Sequence, residues 1–205
     1  MTSALLSEAL APVRANASRA AILFDIDGTL APIVQHAADA RVPEGTRQLL
    51  VQVARRYRVV ACVSGRKASE ARAIVAFHWR GAPDEDAARQ AVETIAERAL
   101  EAGLGIHWGR KVLEVRPPVQ IDKGAGITSF LEDAGVNTAV YVGDDATDLD
   151  AFRALSEMAD DGRLELAIRV GVSSDEGPTE IAEQADLVVD GTDGVQELLT
   201  VLAAD

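Results

Sequence analysis

The sequence has a single cysteine, Cys62, among its 205 residues. An internal disulfide is therefore excluded, and the chain suits a reducing compartment. Cys62 lies in the apolar run Val59-Val60-Ala61-Cys62-Val63, where a small buried core residue is expected. Long apolar runs are also lacking: no stretch approaches the roughly 20 residues of a membrane span. The N-terminal MTSALLSEALAPVRANASRA has no basic region ahead of its apolar part, and Glu8 interrupts it. It reads as a leading helix and not a signal peptide, so a cytoplasmic location is expected. Positive charge is scarce too. Twenty lysines and arginines face 33 aspartates and glutamates, a net charge of −13. Nucleic acid and anionic membranes are poor partners for such a chain. A phosphorylated small molecule remains open, because a metal ion or a few local cations invert the field inside a cleft.

What is present describes a globular protein. Apolar residues make up 48% and charged residues 26%, which excludes whole-chain disorder. The length suits one large domain, or a core domain carrying a smaller insert, with a core that needs no disulfide staples. No repeat or low-complexity tract occurs. Short apolar runs at 21–24, 58–63, 138–142, 164–170 and 186–189 read as buried strands. Helical patterns at 43–56 (opened by Pro43), 68–74, 124–134, 148–155, 179–185 and 193–202 alternate with them. Strands alternating with helices predict an α/β fold with a parallel sheet covered on both faces.

The middle of the chain differs. Residues 76–80 alternate like a half-wet strand, a helix runs from Pro83-Asp84 to near Gly103, and strands at 104–108 and 111–116 flank a Gly109-Arg110 turn. This β-α-β-β unit, residues 75–118, reads as a small α+β insert in a core formed by 1–74 and 119–205.

Ligands of parallel α/β sheets bind beyond the carboxyl ends of the strands. Four polar clusters fall there: Asp25-Ile26-Asp27-Gly28-Thr29, Ser64-Gly65-Arg66, Asp122-Lys123-Gly124, and Gly143-Asp144-Asp145-Ala146-Thr147-Asp148. Each alone has a plainer reading. The first could be a capped turn, the second an N-cap, the third a solvated helix start and the fourth a loop capped at Thr147 or Asp148. Together they suggest one site. Carboxylates after a buried strand are costly unless a cation lies between them. Mg²⁺ suits them, since it prefers oxygen ligands and takes phosphate oxygens as well. Asp25 would attack phosphorus, Asp27 would serve as general acid and base, and Ser64 and Lys123 would hold the phosphate.

The quartet of motifs resembles the haloacid dehalogenase superfamily of aspartate-nucleophile phosphatases. The stretches LFDIDGTLAPIV, VSGR, EVRPPVQIDKG and VGDDATDLDAF are most similar to the trehalose-6-phosphate phosphatase family. That resemblance implies a Rossmannoid core with an inserted cap, Mg²⁺ as cofactor and a sugar phosphate as substrate. By it, Asp25 and Asp27 are catalytic, and Ser64, Gly65 and Lys123 bind phosphate. Asp25, the Asp27 carbonyl and Asp144 ligate the metal, Asp148 supports the site, and Glu114 and Arg116 face the sugar. Three departures stand out. SGRKASEARAIV runs straight into AFHWRGAP, without the family's intervening segment and its Gly-Asn-His-Gly motif, so the cap is shortened. Leu149 replaces an acid, and Gln120-Ile121 precede Asp-Lys-Gly.

The expected activity is Mg²⁺-dependent hydrolysis of trehalose 6-phosphate by a monomer, through an aspartyl-phosphate. The alternatives are a phosphatase of another sugar phosphate, or a degenerate homologue that binds a phosphosugar without turnover. A receiver domain shares acids, a hydroxyl and a lysine after parallel strands, but DxDGT with GDDxTD is not its pattern. His78 and His107 alternate with aromatics and suit a surface or packing role, whereas His36 lies in the loop after the first strand.

Overall fold

A computed structural model describes residues 3–34, 41–63, 75–79, 84–102, 104–109, 112–116, 123–174 and 177–204. The chain divides into two compact units, Met1–Gly65 with Asp122–Asp205, and Arg66–Ile121.

The first unit is built on a five-stranded parallel sheet. Its strands are β1 (Ala20–Phe24), β2 (Val59–Cys62), β6 (Thr138–Gly143), β7 (Leu166–Ser173) and β8 (Leu187–Asp190), in the order β2-β1-β6-β7-β8. Every residue of β1 and β6 is buried. Both are interior strands, so the continuous apolar runs AAILF and TAVYVG are what a sheet covered on both faces requires. Alternation along each strand feeds two cores. Ile22, Phe24, Val140 and Val142 pack with α1 (Ser3–Ala9), α3 (Glu44–Arg56) and α8 (Gly191–Ala203) through Leu6, Val53 and Leu198. Ala21, Leu23 and Tyr141 pack on the other face with α5 (Lys123–Ala134), α6 (Asp148–Asp160) and α7 (Thr179–Gln184) through Ile127, Leu155 and Ile181. A short α2 (Ala11–Ala15) follows α1, so the leading helix comes in two pieces.

The second unit holds β3 (Val75–His78), α4 (Glu85–Glu101), β4 (Gly105–Gly109) and β5 (Val112–Arg116). The strands form an antiparallel sheet in the order β3-β5-β4, as the β-α-β-β pattern suggested. Asp84 starts α4 by accepting a hydrogen bond from the Ala87 amide at 2.9 Å. Trp79, Val92, Ala96 and Leu113 form its core, and Trp79 meets the exposed Trp108 edge-on at 6.0 Å.

Three sequence expectations shift. Cys62 is exposed and not part of the core, because β2 is an edge strand and Cys62 is its last residue. Leu164 is not in β7. It closes the end of α6, where Gly162 (φ 74°) turns the chain and the amides of Arg163 and Leu164 donate to the Met158 carbonyl at 2.8 and 3.0 Å. Helix α6 itself runs on to Asp160, five residues past the expected Leu155. The expected helix at 68–74 and Arg110 of the expected turn lie outside the described residues.

Leu198 is fully buried in the core that α8 shares with α1, α3 and one face of the sheet. Leu198→Ala is expected to lower unfolding stability by about 2–5 kcal/mol, read from urea denaturation. A loss below about 1 kcal/mol would mean that α8 does not close this core.

Candidate active site

The hydrogen-bond ladder continues one residue past β1. The Asp25 amide donates to the Val142 carbonyl at 2.8 Å, and the Val63 amide donates to the Phe24 carbonyl at 2.7 Å. Asp25 is thereby held at the carboxyl end of the two central strands, 5% exposed. The next residues fold into a tight loop, in which the amides of Leu30 and Ala31 donate to the Ile26 carbonyl and the Gly28 amide donates to the Ala31 carbonyl. Gly28 has φ 83°, and a Cβ there would overlap the Asp144 carboxylate. Glycine is required twice over, by conformation and by space. Thr29, fully buried, donates from Oγ1 to Asp144 Oδ1 at 2.8 Å. Asp27 is half-buried, and its backbone bridges to Ala31.

The end of β6 supplies the rest. Asp145 caps the start of α6: its Oδ1 accepts from the amides of Thr147 (2.8 Å) and Asp148 (3.2 Å) and from the Thr147 hydroxyl (2.7 Å). The capping side chain is thus Asp145, and not Thr147 or Asp148. Asp148 has no exposure, and four donors surround it. The amides of Asp144 and Asp145 donate to Oδ2 at 2.9 and 3.0 Å. The Tyr141 hydroxyl and the Lys123 ammonium both donate to Oδ1 at 2.6 Å. Lys123, the first residue of α5, also donates to Asp25 Oδ1 at 2.8 Å. A Cβ at Gly143 would overlap the Asp148 carboxylate, so β6 must end in glycine here.

The structure therefore gathers Asp25, Lys123, Asp144 and Asp148 at one place. Asp25, Asp144 and Asp148 each offer an oxygen within 4.8 Å of the others. Burial pushes Asp25 up to about 6, with the Lys123 hydrogen bond opposing it and Asp148 adding to it. Burial likewise raises Asp144 to about 7, against the hydrogen bond from Thr29. Burial would lower Lys123, but the charges and hydrogen bonds of Asp148 and Asp25 hold it above its ordinary value, so it stays an ammonium. Burial and then the Asp148 charge push the Tyr141 phenol up, which keeps it a donor.

Hard oxygen donors with more acid than base fit a divalent hard cation. Both oxygens of Asp148 are already committed to two donors each, which leaves Asp25 and Asp144 as the side chains best placed to ligate one. Asp148 orients its neighbours instead. Ser64 and Gly65 lie outside the described residues, as does His36. Glu114 and Arg116 belong to β5 of the second unit, where Glu114 pairs with Ala76 and His107 and Arg116 pairs with Gly105. Sequence reasoning missed Tyr141 and Asp145. Tyr141 was detectable in principle as the one aromatic hydroxyl inside the apolar run that leads to the GDD motif.

The sheet, with acids at its carboxyl edge and helices on both faces, is the Rossmannoid fold of the haloacid dehalogenase class. A haloacid dehalogenase-like hydrolase from Bacteroides thetaiotaomicron superposes with a TM-score of 0.56 over 89% of this chain and 99% of its own, at 15% identity. Within that class the chain belongs to the trehalose-phosphatase family, whose model matches residues 23–75 and 69–191. The two matched stretches overlap at residues 69–75, next to the point where a missing segment was expected from the sequence. A trehalose-phosphate phosphatase of Mycolicibacterium paratuberculosis is 33% identical over 140 residues, covering 58% of this chain and 34% of the relative's own length. The chain thus corresponds to about a third of that protein. The Aspergillus fumigatus trehalose-6-phosphate phosphatase superposes with a TM-score of 0.62 at 20% identity, over 99% of this chain and 97% of its own.

The raised carboxyls have a consequence for stability. Between about pH 4 and 7 the folded, metal-free protein retains protons on Asp25 and Asp144 that the unfolded chain has released. The native state binds more protons, so the contribution of this pair falls as pH rises through that window. Asp144→Asn removes one of the two groups. In chelator at pH 7.5 its Tm is expected above that of the wild type, with the difference shrinking toward pH 4.5. A variant less stable than wild type at pH 7.5 contradicts the desolvated-carboxylate reading.

Proposed function

We propose that this chain hydrolyses a sugar phosphate, with trehalose 6-phosphate the first candidate, using Mg²⁺ at Asp25, Asp144 and the Asp27 carbonyl. The observation that carries the reading is the buried Lys123–Asp25 pair at 2.8 Å, set beside Asp144 at the end of the central strands. Family membership and the order of the motifs support it. Asp25, held by the ladder and by Lys123, attacks phosphorus, and the ester oxygen departs with a proton from Asp27. Asp27 then takes a proton from water, which displaces phosphate from the aspartyl-phosphate and restores Asp25. Lys123, Ser64 and Gly65 hold the phosphoryl oxygens. When bound, Mg²⁺ offsets the carboxylate charge and acts as a Lewis acid toward those oxygens. Residues 1–74 and 119–205 form the catalytic core, and 75–118 form a shortened cap that reads the sugar through Glu114 and Arg116.

A second reading, a phosphatase with another sugar phosphate as substrate, is favoured by one observation: the family match is broken at 69–75. Missing polar contacts weaken discrimination. Trehalose 6-phosphate is therefore expected to be hydrolysed less than about a hundredfold better, in kcat/KM, than glucose 6-phosphate. A preference above about ten-thousandfold would show that the sugar site is complete.

The deciding experiment is release of inorganic phosphate with Mg²⁺ and with chelator. Release should require the metal. Asp25→Asn, nearly isosteric but unable to attack as an anion, should lower kcat by about a thousandfold or more, which is at least about 4 kcal/mol of barrier. Activity within about tenfold of wild type rejects Asp25 as nucleophile. Absence of phosphate release from any ester rejects the enzyme reading in favour of a phosphosugar binder.

A further inference from the structure

Tyr141 lies inside β6, where every residue is buried, and its ring packs among Ile127, Leu131, Phe152 and Leu155. Phe152 meets it edge-on at 6.1 Å with an interplanar angle of 83°. A hydroxyl in such surroundings is costly unless it is hydrogen-bonded, and phenylalanine would fill the same apolar slot. The hydroxyl instead donates to Asp148 Oδ1 at 2.6 Å, the oxygen that also takes the Lys123 ammonium.

We propose that Tyr141 is a positioning residue for phosphoryl transfer, holding Asp148 so that Lys123 fixes the Asp25 carboxylate for attack. The proposal rests on Asp25 being the nucleophile, as read above. Two backbone amides pin Asp148 Oδ2, which sets the plane of the carboxylate. Oδ1 then has two lone-pair directions, and the phenol occupies one of them. Lys123 is left with the other, from which it reaches Asp25 at 2.8 Å. Lysine is a point charge on a flexible four-carbon stem, so its direction must be set from outside. Tyr141 is suited to that task because its backbone is fixed within β6 and its side chain is fully buried.

The two kinetic constants should respond differently. Attraction between an ammonium and a phosphate dianion depends weakly on angle, so KM should barely move. In-line attack depends strongly on where the carboxylate points, so kcat should fall. With trehalose 6-phosphate and Mg²⁺, Tyr141→Phe is expected to lower kcat by about tenfold to a hundredfold and to change KM by less than about threefold. Phe152→Leu is the packing control. It disturbs the same ring contact but keeps the phenol, and should lower Tm while leaving kcat within about threefold. Equal kcat losses in the two variants, or a Tyr141→Phe kcat within about threefold of wild type, overturn the proposal.

A crystal structure of Tyr141→Phe provides a readout independent of turnover. Lys123 Nζ is expected beyond about 3.5 Å from Asp25, outside hydrogen-bond range. Retention of that contact overturns the proposal even if the protein proves to lack phosphatase activity, an outcome that would separately refute the functional reading. Should Tyr141→Phe alone not fold, the same distance is read in Tyr141→Phe/Asp144→Asn. That pair relieves the carboxylate crowding and keeps Asp25, Lys123 and Asp148.

Discussion

Three carboxylates taken out of water around one ammonium set the terms for much of the first unit. Desolvation disfavours the ionised acids, and a single lysine cannot offset all of them. The surrounding chain compensates wherever it can. The amides of Asp144 and Asp145 donate to Asp148, the Thr29 hydroxyl donates to Asp144, and Tyr141 adds a further donor from the core. Helix α6 begins at Asp148, so the acid lies where unpaired amides and the helix dipole favour negative charge. Backbone must approach closely for this to work. Gly28 and Gly143 give the acids room that any side chain would fill. The residual negative charge makes the cluster a receptor for a hard cation, and the folded state bears its cost when none is bound.

The sheet order explains why these groups meet. Asp25 and Asp144 are more than a hundred residues apart in sequence, yet β1 and β6 are neighbours in the sheet, with Phe24 paired to Val142 and Ala20 to Thr138. In-register parallel pairing brings both strand ends to the same edge. Lys123 and Asp148 then arrive from the first residues of α5 and α6, which pack on one face through Ile127, Leu131, Phe152 and Leu155. Among the described residues, the fold thereby brings three separate motifs into one acid-lined site.

Much of this was legible in the sequence, because strand ends were marked by charge following apolar runs. AAILF-DIDGT and TAVYVG-DDATD announce both the strand and the site in a dozen residues. The α/β alternation and the β-α-β-β insert also followed from local pattern. Properties set by tertiary arrangement did not. Cys62 looked like core because VVACV is apolar, and its exposure depends on β2 being an edge strand, which no local pattern encodes. Tyr141 looked like one more apolar strand residue, since its partner Asp148 lies across a loop and a helix start. The capping role of Asp145 was hidden because Thr147 and Asp148, close behind it, are equally good capping residue types.

The most direct test of the account is the identity of the phosphorylated residue. Acid quenching during turnover of trehalose 6-phosphate, followed by reduction with ³H-labelled borohydride and peptide mapping, would convert the acyl phosphate to tritiated homoserine, release its phosphate and so locate the aspartate that had carried it. The account predicts label on Asp25 alone. Label on Asp27, or phosphate release with no labelled aspartate under conditions that trap acyl phosphates, would contradict it.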